Sequence, residues 1–203
     1  TDDAAFIIFY DNKSNRTALY DLLQSRATSK EFKNLYIIDS PRFFVDWGRI
    51  TQAFTQIVLI QASLKFFSNS MYCSIHSESD YPIVPPRLIT KFLRDNYPKN
   101  YIETLHKVPG KKHVRKKQFE FYFNSTYNTE VNKIARYLFP KKSLPSTKWQ
   151  HGWNWFTMTL KDCQRMIDTL YKRFDIVDVL EYAVNTDEML FNTLVAEGNI
   201  EST

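Results

Sequence analysis

Asp187 and Glu188 stand side by side in VNTDEMLFNTL, the run from Val184 to Leu194. Adjacent carboxylates at such a place serve one of two ends. They can start a helix: Asn185 is a good N-cap residue, Glu188 follows at capping-box spacing, and acids in a first turn offset the macrodipole. Or one of them can be a base aimed at a substrate. Met189, Leu190, Leu194 and Val195 then predict a helix with one apolar face. Other chemistries find less support. His76, His106, His113 and His151 show no metal-ligand spacing, and no DxD motif occurs. Cys73 and Cys163 are the two cysteines and form no CxxC; a disulfide between them is an option, but a reduced pair is the simpler reading. There is no GxSxG elbow and no GxGxxG or P-loop pattern, and four glycines cannot build a glycine-rich phosphate cradle.

The elements that would position these carboxylates can be read from periodicity. Ala4–Tyr10 (AAFIIFY) predicts a buried strand, stopped by the turn residues Asp11–Asn15. Thr17–Gln24 predicts a helix, Leu35–Asp39 a strand, Ile50–Phe67 a long helix, Tyr72–His76 a third strand and Arg87–Asn96 another helix. The alternation predicts an α/β fold with a mostly parallel sheet, whose ligands bind beyond the carboxyl ends of the strands. Asp11, Trp47 and Asp80 each closely follow a strand candidate. Further on, a helical stretch is expected around Val131–Leu138. Gly152–Thr159 reads as extended, with Trp153 and Trp155 on one face and Asn154 and Phe156 on the other. Leu160–Phe174 predicts a helix.

The chain has 203 residues, 43% hydrophobic and 16% aromatic, enough for one domain with its own core. No apolar run approaches the ~18 residues of a membrane span, and no signal peptide is visible. The net charge of +5 favours an anionic partner: nucleic acid, acidic lipid or a nucleotide diphosphate. Lys107–Lys117 (KVPGKKHVRKK) concentrates six Lys and Arg with His113 in eleven positions. It reads as a solvated loop or as a contact for phosphate or nucleic acid.

Five segments carry a resemblance to a known family. Tyr72–Leu93 (YCSIHSESDYPIVPPRLITKFL) resembles the S-x-x-D-F/Y-P-I segment of core-2/I-branching β-N-acetylglucosaminyltransferases and peptide O-xylosyltransferases. Phe6–Asn15 (FIIFYDNKSN) resembles their strand ending in H-x-D-x-K-S. Phe43–Leu64 resembles their W-G-G-x-S-x-x-x-A helix start. His151–Ile167 (HGWNWFTMTLKDCQRMI) resembles G-S-x-W-F-x-L-x-R-x-F-V, and Thr186–Gly198 (TDEMLFNTLVAEG) resembles P-D/A-E-x-F/L-x-x-T. The order is right, and the matches cover most of the chain outside Pro98–Lys148. The departures are Gly48-Arg49 in place of Gly-Gly, Gly152-Trp153 in place of Gly-Ser, and Lys161 in place of Arg.

The resemblance implies a single GT-A-like (Rossmann-like) domain over residues 1–203, lacking the family's first strand–helix unit and its C-terminal segment. It implies an inverting glycosyltransferase that moves a GlcNAc- or xylose-like sugar from a UDP-sugar to a hydroxyl of a glycan or glycoconjugate. Glu188 matches the general base. Asp11, Val45, Asp46, Trp47, Asn154 and Trp155 match nucleotide-sugar positions. Ser77, Asp80, Tyr81 and Asp187 match positions that orient donor or acceptor. For Asp80 a local role is the alternative, since Asp in such a loop often bonds its own backbone; for Trp47 and Trp155 the alternative is the core. No prosthetic group and no divalent metal are expected. The family's C-terminal basic residues would lie beyond Thr203, and Lys111, Lys112, Arg115, Lys116 and Lys117 are candidates to hold the diphosphate in their place. The expected site of action is the cytoplasm, at the inner face of a membrane in peripheral contact with it, as in a bacterial enzyme of surface polysaccharide; the Golgi lumen is the alternative. Nucleic acid is not expected as a partner. Two rival readings stand beside this one: a nucleic-acid-binding module built on Lys107–Lys117, and an inactive relative that only binds sugar nucleotides.

Overall fold

The computed structural model describes residues 4–13, 34–38, 40–77, 79–107 and 146–202, together with Asp21, Leu22, Ser25, Ile134, Tyr137 and Leu138. The described elements run β1 (Phe6–Ile8), β2 (Leu35–Ile37), α1 (Ile50–Phe66), β3 (Tyr72–Ile75), α2 (Pro86–Asp95), β4 (Thr104–Lys107), β5 (Gln150–Gly152), β6 (Phe156–Thr159), α3 (Leu160–Lys172), α4 (Asp175–Leu180) and α5 (Thr186–Glu197). This is the mixed α/β class expected of a GT-A-like domain. Among the described residues β1 and β2 pair in parallel, whereas β3 with β6 and β4 with β5 pair antiparallel. Tyr101 bridges to Thr157 on the side of β6 away from β3, and the chain then continues into β4. One extended segment thus ties the β3–β6 pair to the β4–β5 pair.

The core lies where α1, α3, α4 and α5 close over β3 and β6. α1 buries Ile50, Ala53, Ile57 and Ile60, a helical stripe that the sequence displays openly. α3 is started by Thr159, whose hydroxyl accepts the Asp162 N–H at 3.1 Å. It buries Leu160, Cys163, Met166, Ile167 and Leu170. α5 departs from the expected single apolar face. Every residue from Met189 to Val195 is buried, Asn192 and Thr193 included, so α5 is a central helix. Its polar members are satisfied by strands. Asn192 accepts from Thr104 and donates to the Trp153 carbonyl, and Thr193 bonds both the N–H and the carbonyl of Gln150.

Other expectations shift as well. β1 is not buried at its start, where Phe6 is 61% exposed. The Gly152–Thr159 run forms two strands broken at Trp153–Trp155, and the alternation persists through the break. Asn154 and Phe156 are buried and Trp153 is exposed. α2 forms where periodicity places it, yet Leu88, Ile89 and Phe92 stay exposed and none of its residues is buried. The expected helices at Thr17–Gln24 and Val131–Leu138 fall largely outside the described residues, as does the basic run after Lys107. Among the described residues no helix is long and apolar enough to cross a membrane.

Candidate active site

Three segments far apart in sequence meet at the first turn of α5. The first contains Gly48, held at φ +69, where a Cβ is unfavourable. Its carbonyl accepts the Asn185 N–H at 2.7 Å. A Cβ added there would also stand 3.3 Å from Asn185 Oδ1. Arg49 fastens the same junction, its Nη1 donating to the carbonyls of Tyr182 and Ala183 at 3.2 Å. The second segment is α5's own start. Asn185 is the N-cap residue but adopts left-handed backbone (φ 55, ψ 45) and makes no side-chain cap. Its amide turns to the Glu188 carboxylate instead, Nδ2 to Oε2 at 3.4 Å. The third segment is β5 and the residues after it. A Cβ on Gly152 would overlap the Glu103 carbonyl and crowd Asn192, so only glycine lets β5 lie this close to β4 and α5. That approach brings His151 Nε2 to 2.8 Å from Glu188 Oε2.

The two adjacent acids therefore live in different surroundings. Asp187 is 4% exposed and accepts a hydrogen bond from Asn154 Nδ2. Burial, then the neighbouring Glu188 charge, push its carboxyl up to about 6. Glu188 keeps 29% of its side chain exposed. Its Oε2 is held by His151 and Asn185, while no hydrogen bond among the described residues reaches Oε1. A partly exposed carboxylate fixed through one oxygen, with the other unbonded among the described residues, could accept a proton from a bound hydroxyl. Asp187, buried and bonded to Asn154, is not so placed.

The remaining candidates fall in two places. Lys13 gathers the first group: its N–H donates to Asp11 Oδ1, and its Nζ reaches Asp46 Oδ1 at 2.6 Å and the Val45 carbonyl at 2.7 Å. Trp47, 71% exposed, follows directly and leads into Gly48. Asp11, Val45, Asp46 and Trp47 thus form one cluster that reaches Glu188 through the Gly48–Asn185 hydrogen bond. Asn154 touches Asp187, while Trp155 is partly buried and packs against the core. The second place is the loop after β3. Asp80 accepts the Ser77 N–H at 2.7 Å, the local role set out above as the alternative, with His76 at 3.8 Å. Tyr81 is 86% exposed. No described contact joins Ser77, Asp80 or Tyr81 to Glu188.

Sequence reasoning passed over His151, weighing it only as a metal ligand. Its one signal was its place at the head of the HGWNWF block. Lys13 was also passed over, although it sits within the D-x-K match. Among the described residues no three His, Cys, Asp or Glu side chains gather as a metal site. A groove at the far end of α5 is lined by Arg165, Arg173 and Glu197, but these charges are paired already, Arg173 with Asp175 and Glu197 and Arg165 with Asp162.

With this geometry in hand, two comparisons bear on descent. A xylosyltransferase, sqv-6 of Caenorhabditis briggsae, is 25% identical to this chain over 138 residues. That match takes in 67% of the chain but 16% of the xylosyltransferase, so the chain spans only a small part of that relative's length. The model of the Core-2/I-branching enzyme family matches residues 2–202, both strand–loop clusters and the α5 carboxylates among them. The chain belongs to the Core-2/I-branching enzyme family.

Proposed function

We propose that this protein is an inverting glycosyltransferase that uses a UDP-sugar with a GlcNAc- or xylose-like sugar and glycosylates a hydroxyl of a glycan or glycoconjugate. The observation that carries the reading is Glu188: anchored through Oε2, without a hydrogen bond to Oε1 among the described residues, and partly exposed beside an acid that burial withdraws from the chemistry. In the reaction the acceptor oxygen attacks the anomeric carbon, its proton passes to Glu188 Oε1, and the bond from that carbon to the diphosphate breaks, releasing UDP. One displacement inverts the centre. An unassisted hydroxyl is a weak nucleophile; a positioned carboxylate contributes about 10²–10⁴-fold. Asp11, Val45, Asp46 and Trp47 are proposed to line the nucleotide, Asn154 and Trp155 to flank the sugar and diphosphate, and Ser77, Asp80 and Tyr81 to meet donor or acceptor. The reading takes turnover to be independent of divalent metal and places the enzyme in the cytoplasm at a membrane face.

The test is a panel of UDP-sugars, with and without EDTA, followed by calorimetry and UDP release. One sugar nucleotide binds and turns over. Glu188→Gln retains that binding and loses turnover by about 10²-fold or more. Failure of every nucleotide sugar to bind removes the function; normal turnover by Glu188→Gln removes the base.

A further inference from the structure

We propose that His151 is the positioning residue of Glu188: as a neutral imidazole it donates its Nε2 hydrogen to Oε2 and so aims Oε1 at the acceptor hydroxyl. This rests on the base reading above. The 2.8 Å contact requires a hydrogen between Nε2 and the carboxylate, since two lone pairs would repel at that distance. The other ring nitrogen decides the charge. Nδ1 is buried with no hydrogen-bond partner among the described residues. An imidazolium would bury a charged N–H there without an acceptor, whereas the neutral ring leaves an uncharged lone pair unused, the smaller penalty. The ring therefore carries one hydrogen, on Nε2.

The backbone that delivers His151 is fixed on both sides. Gln150 is bound at N–H and carbonyl by Thr193 of α5, and Trp153 N–H donates to the Glu103 carbonyl. The ring has little freedom, with 17% of the side chain exposed. Because the donor is neutral, it orients the carboxylate without cancelling its charge, and the base stays an anion able to take a proton. The Asn185 amide, at 3.4 Å, is the weaker support on the same oxygen.

The experiment compares His151→Phe, which fills the space and loses the hydrogen, with His151→Gln, which restores an N–H donor. Steady-state kinetics with the UDP-sugar identified above are expected to show kcat lower by about 10–100-fold in His151→Phe. KM for the donor and UDP affinity should change less than about twofold, and His151→Gln should recover most of the rate. Long-range ¹H–¹⁵N spectra of the wild-type protein should show the Nε2–H tautomer. An unaltered kcat in His151→Phe overturns the proposal, as does a fall shared equally by both variants with loss of UDP binding. An Nδ1–H or doubly protonated ring overturns it as well. If Glu188→Gln is inactive while His151→Phe is not, the positioning role alone falls; if Glu188→Gln is fully active, the base reading falls and takes this role with it.

Discussion

Asp187 shows how one buried acid shapes the site without facing it. Its carboxyl titrates near 6 because burial and the adjacent Glu188 both disfavour a second negative charge. The folded protein therefore binds a proton there more tightly than the unfolded chain, whose aspartate titrates near 4. The associated stability is fully present below about pH 4 and is lost as pH rises through about 6, a change on the order of 3 kcal/mol. Asp162 and Asp175 act in the opposite sense. At Asp162 hydrogen bonds from Asn100, Arg165 and Thr159 outweigh burial, and at Asp175 the bond from Arg173 dominates, so both are held below the usual carboxylate value. Their contributions are lost only in stronger acid, below the window of Asp187. Asp187→Asn keeps an acceptor for Asn154 but cannot titrate. Urea unfolding between about pH 4 and pH 7 should then vary less in the variant than in the wild type. Equal pH slopes would rule this account out.

Glycine governs at the scale of elements. β5 can lie against β4 and α5 only while residue 152 lacks a side chain. Gly152→Ala should destabilise by about 2–4 kcal/mol, because the atoms in the way are a backbone carbonyl and the locked Asn192 amide rather than a flexible tip. Under the proposed function it should also lower turnover more than nucleotide binding, since His151 rides on the displaced strand. Denaturant midpoints and kcat measured together check both; a variant with wild-type stability sinks the close-approach argument. The same element shows where sequence reading succeeds and fails. The bounds of α1 and α3 were legible to within two residues, because apolar periodicity is a local signal. α4 carries only six residues and no cap bond, and it went unseen. α5 was located correctly but given one apolar face, because burial of Asn192 and Thr193 depends on partners in β4 and β5, 88 and 43 residues away. The capping box at Asn185 likewise gave way once a left-handed backbone and His151 drew the two side chains toward each other.

Across the whole molecule, the candidate site was legible where it coincides with local pattern and hidden where it arises from packing. Glu188 stands out in one dimension; His151 becomes its partner only after β5 is laid along α5. The same long-range closure governs the two thiols. Cys73 on β3 and Cys163 on α3 are free, 7% and 0% exposed, and the Cys73 thiol bonds the Ser63 hydroxyl at 3.6 Å. The neighbouring Cys163 thiol holds the Cys73 value below the ordinary thiol range, while Cys163 is pushed far above it by the nearby Cys73 and by burial. Cys73 is therefore the thiol that would ionise first, yet a reagent can reach it only when the β3–α3 interface parts. Both elements belong to the single core shared with α1 and α5, so that parting should require global unfolding rather than local opening. A thiol reagent such as DTNB should leave the native protein unmodified over minutes. Both cysteines should become reactive along the same denaturant curve that far-UV circular dichroism follows. If Cys73 reacts well before that transition while Cys163 stays protected, β3 separates independently of the helices, and the core that supports α5 and its carboxylates is not one cooperative unit.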